Sequence, residues 1–471
     1  MNCVPMSSFV MPRRLFSTRG LWFMRQFVFA FLVVLMILPA MSVHAQGKHV
    51  AIYVNDTFEV VALNPVTGEQ RILITLDSPG DRTRAYGLHV SPDGTMLALF
   101  TRTSDFTLPD EDVHLYIVRI ADSQLLFDLD LLPAEYIFPA DTPLRDPNYE
   151  MTRAIGEVVW SPDSRYLAFI SGHLGNADVF AYDAAAQTLL QVNNAPQTAA
   201  FIHWAPDSKT LVFNEVITFG TGSGDEIAGT YFASLESGVV QPITFPDERI
   251  QQFFVLGWLD TQTLLYSPLN FLVGANGIFA LNLANGTTST LLPYEMEITV
   301  PVFDPATRAL AFVVPDVGVE QGLVKGAYLF PQGAATPTFL QSGQFYFAQL
   351  VRPGFFQYAS SNGNFLLDVN NPQLIPLPTS DFGAFVSPSA DAVALFRTDG
   401  VYLSSLGTDN ATLVLPGEIQ VPIWSPDGNF FYSFGFTSEG GGLLQFDAIN
   451  RAVHLIDSRM AITSPIAVAS Q

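Results

Sequence analysis

The chain has 471 residues, 49% of them hydrophobic and 14% charged, which supplies a large core and excludes a disordered chain. The formal net charge is −23 and the lysines are Lys48, Lys209 and Lys325. So few basic side chains cannot displace counterions from a phosphate backbone, which excludes nucleic acid as a partner.

The first 45 residues stand apart. Arg13, Arg14, Arg19 and Arg25 precede an apolar run, FVFAFLVVLMILPAM, over residues 27–41. Val43 and Ala45 then lie at the spacing a signal peptidase reads. This is the pattern of a secretory signal peptide, and it predicts export to the periplasm, the cell surface or the medium. A retained N-terminal anchor is the alternative, although the run is short for a bilayer span. Met11 or Met24 would begin a leader of more usual length. Cys3, the single cysteine, falls inside the leader. The mature chain would then carry no disulfide, no thiol nucleophile and no Cys-bound metal. It would hold 17 basic against 44 acidic residues. That balance suits a basic protein surface, a cation or an uncharged glycan. No membrane span is expected after cleavage, and a monomer is expected.

From residue 48 onward one pattern recurs. It reads LHVSPDGTMLALF from Leu88, VVWSPDSRYLAFI from Val158, IHWAPDSKTLVFN from Ile202 and PIWSPDGNFFYSF from Pro422. Weaker copies are LGWLDTQTLLYSP from Leu256, PVFDPATRALAFV from Pro301 and AFVSPSADAVALF from Ala384, with a decayed one, QLVRPGFFQYAS, from Gln349. Most neighbouring copies lie about 35 to 50 residues apart, the length of a propeller blade. An apolar strand ends in Trp, Val or Phe, a Ser-Pro-Asp turn follows, and three further short strands complete each unit. Pro presets the turn, Asp bonds its own backbone, and Gly takes the left-handed position that opens the next strand. The Trp or Phe fills the space between blades. Ala306, Ser389 and Thr261 stand where Asp is expected in weaker copies. A turn tolerates that, whereas a metal-ligand shell does not.

These units resemble the TolB-type, WD-repeat-like propeller repeat across most of residues 48–470, most clearly at 91–100, 160–169, 204–213 and 424–434. The resemblance implies an all-β propeller engaged in interactions of the cell envelope. A small N-terminal α/β domain would complete a TolB layout, and the repeats here begin too soon after Ala45 to leave room for one. Eight anchors follow residue 80. HVAIYV, FEVVALN and QRILIT before them read as three strands of a further blade, and AITSPIAVAS at the end reads as its missing innermost strand. One propeller over residues 46–471 is therefore expected, with nine blades preferred to eight and the ring closed by the C-terminal strand, which removes open sheet edges.

The first-to-second and third-to-fourth turns of the blades are tight. The second-to-third and fourth-to-first connections, on the opposite face, are elaborated, the longest being the insertion at residues 131–157. Function concentrates where a scaffold admits variation. Candidate binding residues on that face are Asp105, Phe106, Asp110, Glu111, Asp112, Tyr136, Phe138, Asp141, Asp225 and Glu226. No metal or cofactor is expected, calcium being the one ion that the Asp110–Asp112 loop would suit. No catalytic residue is identified. The Gly-x-Ser-x-Gly elbow is missing, and GTGSG from Gly220 lacks the Lys-Ser/Thr ending of a phosphate loop. Five of the six mature histidines lie in or beside predicted strands, and His173 lies on the elaborated face. The expected function is that of an exported, non-catalytic propeller binding an envelope or extracellular protein, or a glycan. The alternative is a glycosidase or lyase acting at the channel mouth.

Overall fold

A computed structural model describes residues 49–470, except 81–83, 104–111, 134–150, 152, 221–224, 246–252, 271–273, 316–322, 382, 409, 418, 421 and 463. The leader at 1–45 lies outside the described residues.

The described residues form nine four-stranded antiparallel sheets, the blades of a β-propeller. Eight are continuous in sequence and span 84–130, 158–191, 198–242, 253–298, 302–342, 345–376, 383–416 and 423–457; we number them second to ninth. The first is made from both ends of the chain. His49–Val54, Glu59–Leu63 and Gln70–Thr75 supply its three outer strands, and Ala467–Ser470 its innermost one. His49 lies opposite Ser470, and Ile52 opposite Ala467. The decayed stretch at 345–376 is a complete blade, so the count is nine.

The repeat folds as it does because its turn is self-contained. In the third blade the Ser161 hydroxyl donates to Asp163 (2.7 Å) and accepts the Tyr166 amide (2.9 Å), while Ser164 N–H closes the turn onto Ser161 O (2.9 Å). Ser91 with Asp93 and Ser425 with Asp427 repeat this. The fourth turn residue is left-handed in the copies that keep Ser-Pro or Ala-Pro: Gly94 at φ 76°, Ser164 at 65°, Ser208 at 58°, Ala390 at 58° and Gly428 at 74°. Glycine is required at Gly94, where a Cβ would collide with the main chain of Ser470 in the closing strand, and at Gly428, where it would collide with Ser389.

The turns of the second and third blades also clasp the next blade. The Asp93 amide donates to Ser164 (3.0 Å) and the Asp163 amide to Ser208 (3.0 Å). Two of the Trp residues tie back to the preceding blade. Trp160 Nε1–H donates to His89 O (2.8 Å) and Trp204 Nε1–H to Val159 O (2.9 Å), each on the preceding blade. Apolar clusters fill the seams, as where Trp258 and Leu264 meet Ala205 and Val212. In the weaker copies the acid has moved within the turn. Asp260 accepts the Gln262 and Thr263 amides, and Asp391 accepts the Ser387 hydroxyl. Asp304, fully buried, accepts the Ala306 amide (3.0 Å) and reaches the next blade at Gly354 N–H (2.7 Å).

Candidate functional site: an inter-blade cleft on the elaborated face

Antiparallel pairing places the ends of the second strands, the starts of the third strands and the fourth-to-first connections on one face. Near the central channel on that face, the fourth and fifth blades enclose a cavity of about 250 Å³. Its walls are mainly apolar: Phe201, Ile227, Phe253, Val255 and Leu269, with His203, Asn214 and Asp225 as the polar members.

Phe201 lies where the innermost strand of the fourth blade, Thr198–Trp204, bulges between Ala200 and His203. Its φ is 59°, a conformation an aromatic residue rarely takes, and its side chain is 40% exposed. A carboxylate holds the bulge. Glu157, just before the third blade, accepts the Phe201 amide (2.7 Å) and the Ile202 amide. Burial pushes the Glu157 carboxyl up, against the opposing pull of these two N–H groups. Beside it the Phe219 ring meets Phe201 edge-on at 6.2 Å, and Arg153 lies over Phe219 at 5.2 Å while donating to Phe219 O (2.9 Å). Met151, Ala154 and Ile155 are buried in the adjoining core. The returning end of the 131–157 insertion is thus anchored to the third and fourth blades.

Burial pushes His203 down to about 4, so a neutral imidazole lines the cleft at pH 7. Two further carboxyls on this face are raised by burial. Asp178 accepts Gln191 Nε2 (3.0 Å) and the Ala195 amide (3.2 Å). Glu215 is opposed in its rise by the Tyr231 hydroxyl and pushed further by the charge of Asp178.

Of the candidates read from the sequence, Asp112, Asp225 and Glu226 are described. Asp105, Phe106, Asp110, Glu111, Tyr136, Phe138 and Asp141 lie outside the described residues. Asp225 and Glu226 adjoin at the start of the third strand of the fourth blade. Asp225 accepts the Gly220 amide (3.0 Å) and borders the cleft. Asp112 belongs to the second blade and pairs with His114 Nε2 at 3.0 Å, which raises that imidazole's pKa. His173 is tied to Ser171 (2.8 Å) and packs on Phe180. No group of three or more His, Cys, Asp or Glu placed to hold a metal ion occurs among the described residues. The sequence reading missed Phe201 and Glu157. The one signal was a carboxylate standing beside the apolar strand VVW.

No family model and no curated protein matches the sequence. In fold the chain is similar to a eukaryotic initiation factor (TM-score 0.52, 11% identity, 87% of this chain and 95% of that one). It is also similar to Porphyromonas gingivalis dipeptidyl peptidase 4 (TM-score 0.52, 12% identity), covering 88% of this chain and 59% of the peptidase. A third is the β-propeller domain of the Trilobed protease from Pyrococcus furiosus (TM-score 0.42, 10% identity, 80% of this chain and 99% of that one). At these identities the likeness speaks for the fold alone.

Proposed function

We propose that the protein is an exported, non-catalytic, TolB-like recognition propeller that binds an envelope or extracellular protein through its elaborated face. The observation that carries this reading is the apolar cleft with an aromatic ring held partly exposed at its edge. A concave apolar site with few polar groups accepts an aliphatic or aromatic side chain, the usual anchor of a protein interface. Holding a left-handed Phe costs about 1 kcal/mol or more, and such strain collects at functional sites. The leader supports export, and the repeat's resemblance supports envelope work.

The enzymatic alternative draws support from the raised carboxyls Asp178, Glu215 and Glu157 on the same face. Glu157 and Asp178, however, are already engaged by main-chain amides, which favours a structural part for them and binding for the face.

Phe201→Gly tests the reading without straining the fold, because glycine takes a positive φ freely. The full chain, coupled to resin, should retain one protein from a cell-envelope extract. The same protein, purified, should bind the Phe201→Gly chain at least tenfold more weakly. Equal affinity for both chains would remove the cleft from the binding site.

A further inference from the structure

The apolar cleft between the fourth and fifth blades has a polar floor, and that floor narrows what can fill it. His203 and Asn214 supply it from the first and second strands of the fourth blade. His203 lies opposite Val212 in the ladder, so Asn214, two residues further on, is its diagonal neighbour on the same side of the sheet, about 7–8 Å away between backbones. Asn214 Oδ1 accepts the Thr230 hydroxyl (3.2 Å), which fixes the amide. Its Nδ2 has no acceptor among the described residues, and unlike Nε1 of Trp258 it is not sealed in the core but borders the cavity. The His203 ring likewise has no hydrogen-bond partner among the described residues. It is neutral at pH 7, with one nitrogen donating and the other accepting. At the edge of the cleft Asp225 gives one oxygen to the Gly220 amide, and among the described residues the other faces no cation.

A side chain that enters this cleft drives water from the amide and the imidazole, so it must return their hydrogen bonds. A leucine or phenylalanine returns none. An indole N–H donates to the imidazole but cannot accept from the amide. A carboxylate meets the charge of Asp225. A phenol hydroxyl accepts from Asn214 Nδ2 and donates to the bare His203 nitrogen, and the cavity of about 250 Å³ has room for its ring between Phe253, Val255 and Leu269. Charge selects the neighbour of that ring. Asp225, on a chain of net charge −23, favours a cation beside it. We propose that the cleft holds a tyrosine side chain of the partner protein, its hydroxyl bridging Asn214 and His203, with a lysine or arginine next to it facing Asp225. This inference rests on the reading of the cleft as a binding site and names the anchor that fills it.

The test titrates the full chain with an end-blocked hexapeptide, Gly-Gly-Tyr-Lys-Gly-Gly, and with copies carrying Phe for Tyr or Glu for Lys, followed by saturation-transfer NMR. The tyrosine peptide should bind about tenfold or more tightly than the phenylalanine peptide, because a site built to bond a hydroxyl rejects the analogue that lacks it. N214L and H203V each remove one partner of the hydroxyl and should cut that preference to under about threefold. A ratio of two affinities is read, so partial loss of folded protein does not mimic the effect. F201G should weaken both peptides alike and keep the ratio. D225N should remove the preference for Lys over Glu. The proposal falls if the parent binds the Tyr and Phe peptides equally, if the preference is unchanged in both N214L and H203V, if the Glu peptide binds as the Lys peptide does, or if no peptide binds. Equal binding of the Tyr and Phe peptides, with both weakened by F201G, would remove the tyrosine and leave the cleft a binding site. Unchanged binding of the tyrosine peptide by F201G would remove the cleft itself.

Discussion

The third and seventh blades have the same four strands and very different sequences. The third has the full motif. Trp160 bonds the preceding blade, Ser161 and Asp163 build the turn, and the Asp163 amide clasps Ser208 of the next blade. The seventh has no Trp, no Ser-Pro-Asp and a two-residue turn at Pro353–Gly354, with Gly354 at φ 81° and Arg352 stacked over Phe355 at 3.9 Å. Its clasp survives because the sixth blade supplies it, through Asp304 to Gly354 N–H. A blade needs a closed turn and a bond across the seam, and several residue sets meet that need. Decay of the motif is therefore no measure of decay of the blade.

Removing a whole strand from a blade should produce the largest effect. Deleting residues 460–471 takes away the innermost strand of the first blade, the buried Met460, and Ser464, whose hydroxyl accepts the Val54 amide (2.7 Å). Several ladder bonds at ~1 kcal/mol each and the lost burial make this a cost of about 5–10 kcal/mol. Circular dichroism should show a much lower or non-cooperative melt, and an unchanged midpoint would reject closure by the tail. Asp304→Ala comes next. It strands the buried Gly354 amide and returns the amide of exposed Ala306 to water, a loss of about 2–3 kcal/mol by denaturant unfolding. Asp163→Ala, at an exposed turn, should lose about 1 kcal/mol. If the two losses are equal, Asp304 has no special share in holding the seventh blade.

Smaller still is the contrast between tryptophans. Trp160→Phe leaves His89 O without its partner and should cost about 1–2 kcal/mol. Trp258 Nε1 is buried without a hydrogen-bond partner, so Trp258→Phe should be nearly neutral in the same assay.

The parts of this fold that were legible in sequence are local. A Ser-Pro-Asp turn is written in consecutive residues, and three strands without a fourth at one end answered to one spare strand at the other. Where the acid shifts within the turn, as at Asp304 and Asp260, alignment on the motif reads it as lost, although the hydrogen bonds persist. The cleft was illegible for the opposite reason. Phe201 gains its exposure from a bulge, and the bulge from Glu157, 44 residues earlier in sequence. Hydrophobic periodicity records neither. The loop acids were legible as a face, and Asp225 does border the cleft, but Asp112 serves His114 on another blade.

The finest test uses one position of the repeat, the residue before the anchor Trp or Val: His89 in the second blade, Val159 in the third and His203 in the fourth. Burial lowers the pKa of both histidines, His203 to about 4. A histidine with a depressed folded pKa binds its proton more readily when unfolded, whose pKa is ~6.5. Stability is therefore whole above pH ~6.5, falls as pH drops below it, and stops falling on this account once pH passes the folded pKa of about 4. Between pH 7 and 6 the loss from one such group is under about 1 kcal/mol. His203→Val installs the residue that the third blade carries at this position, and it should flatten that slope while His89 preserves part of it. A slope identical to the parent's, measured by urea unfolding at pH 7, 6 and 5, would mean that His203 is no more buried than a surface imidazole, and the cleft it lines would then be wetter than its apolar walls imply.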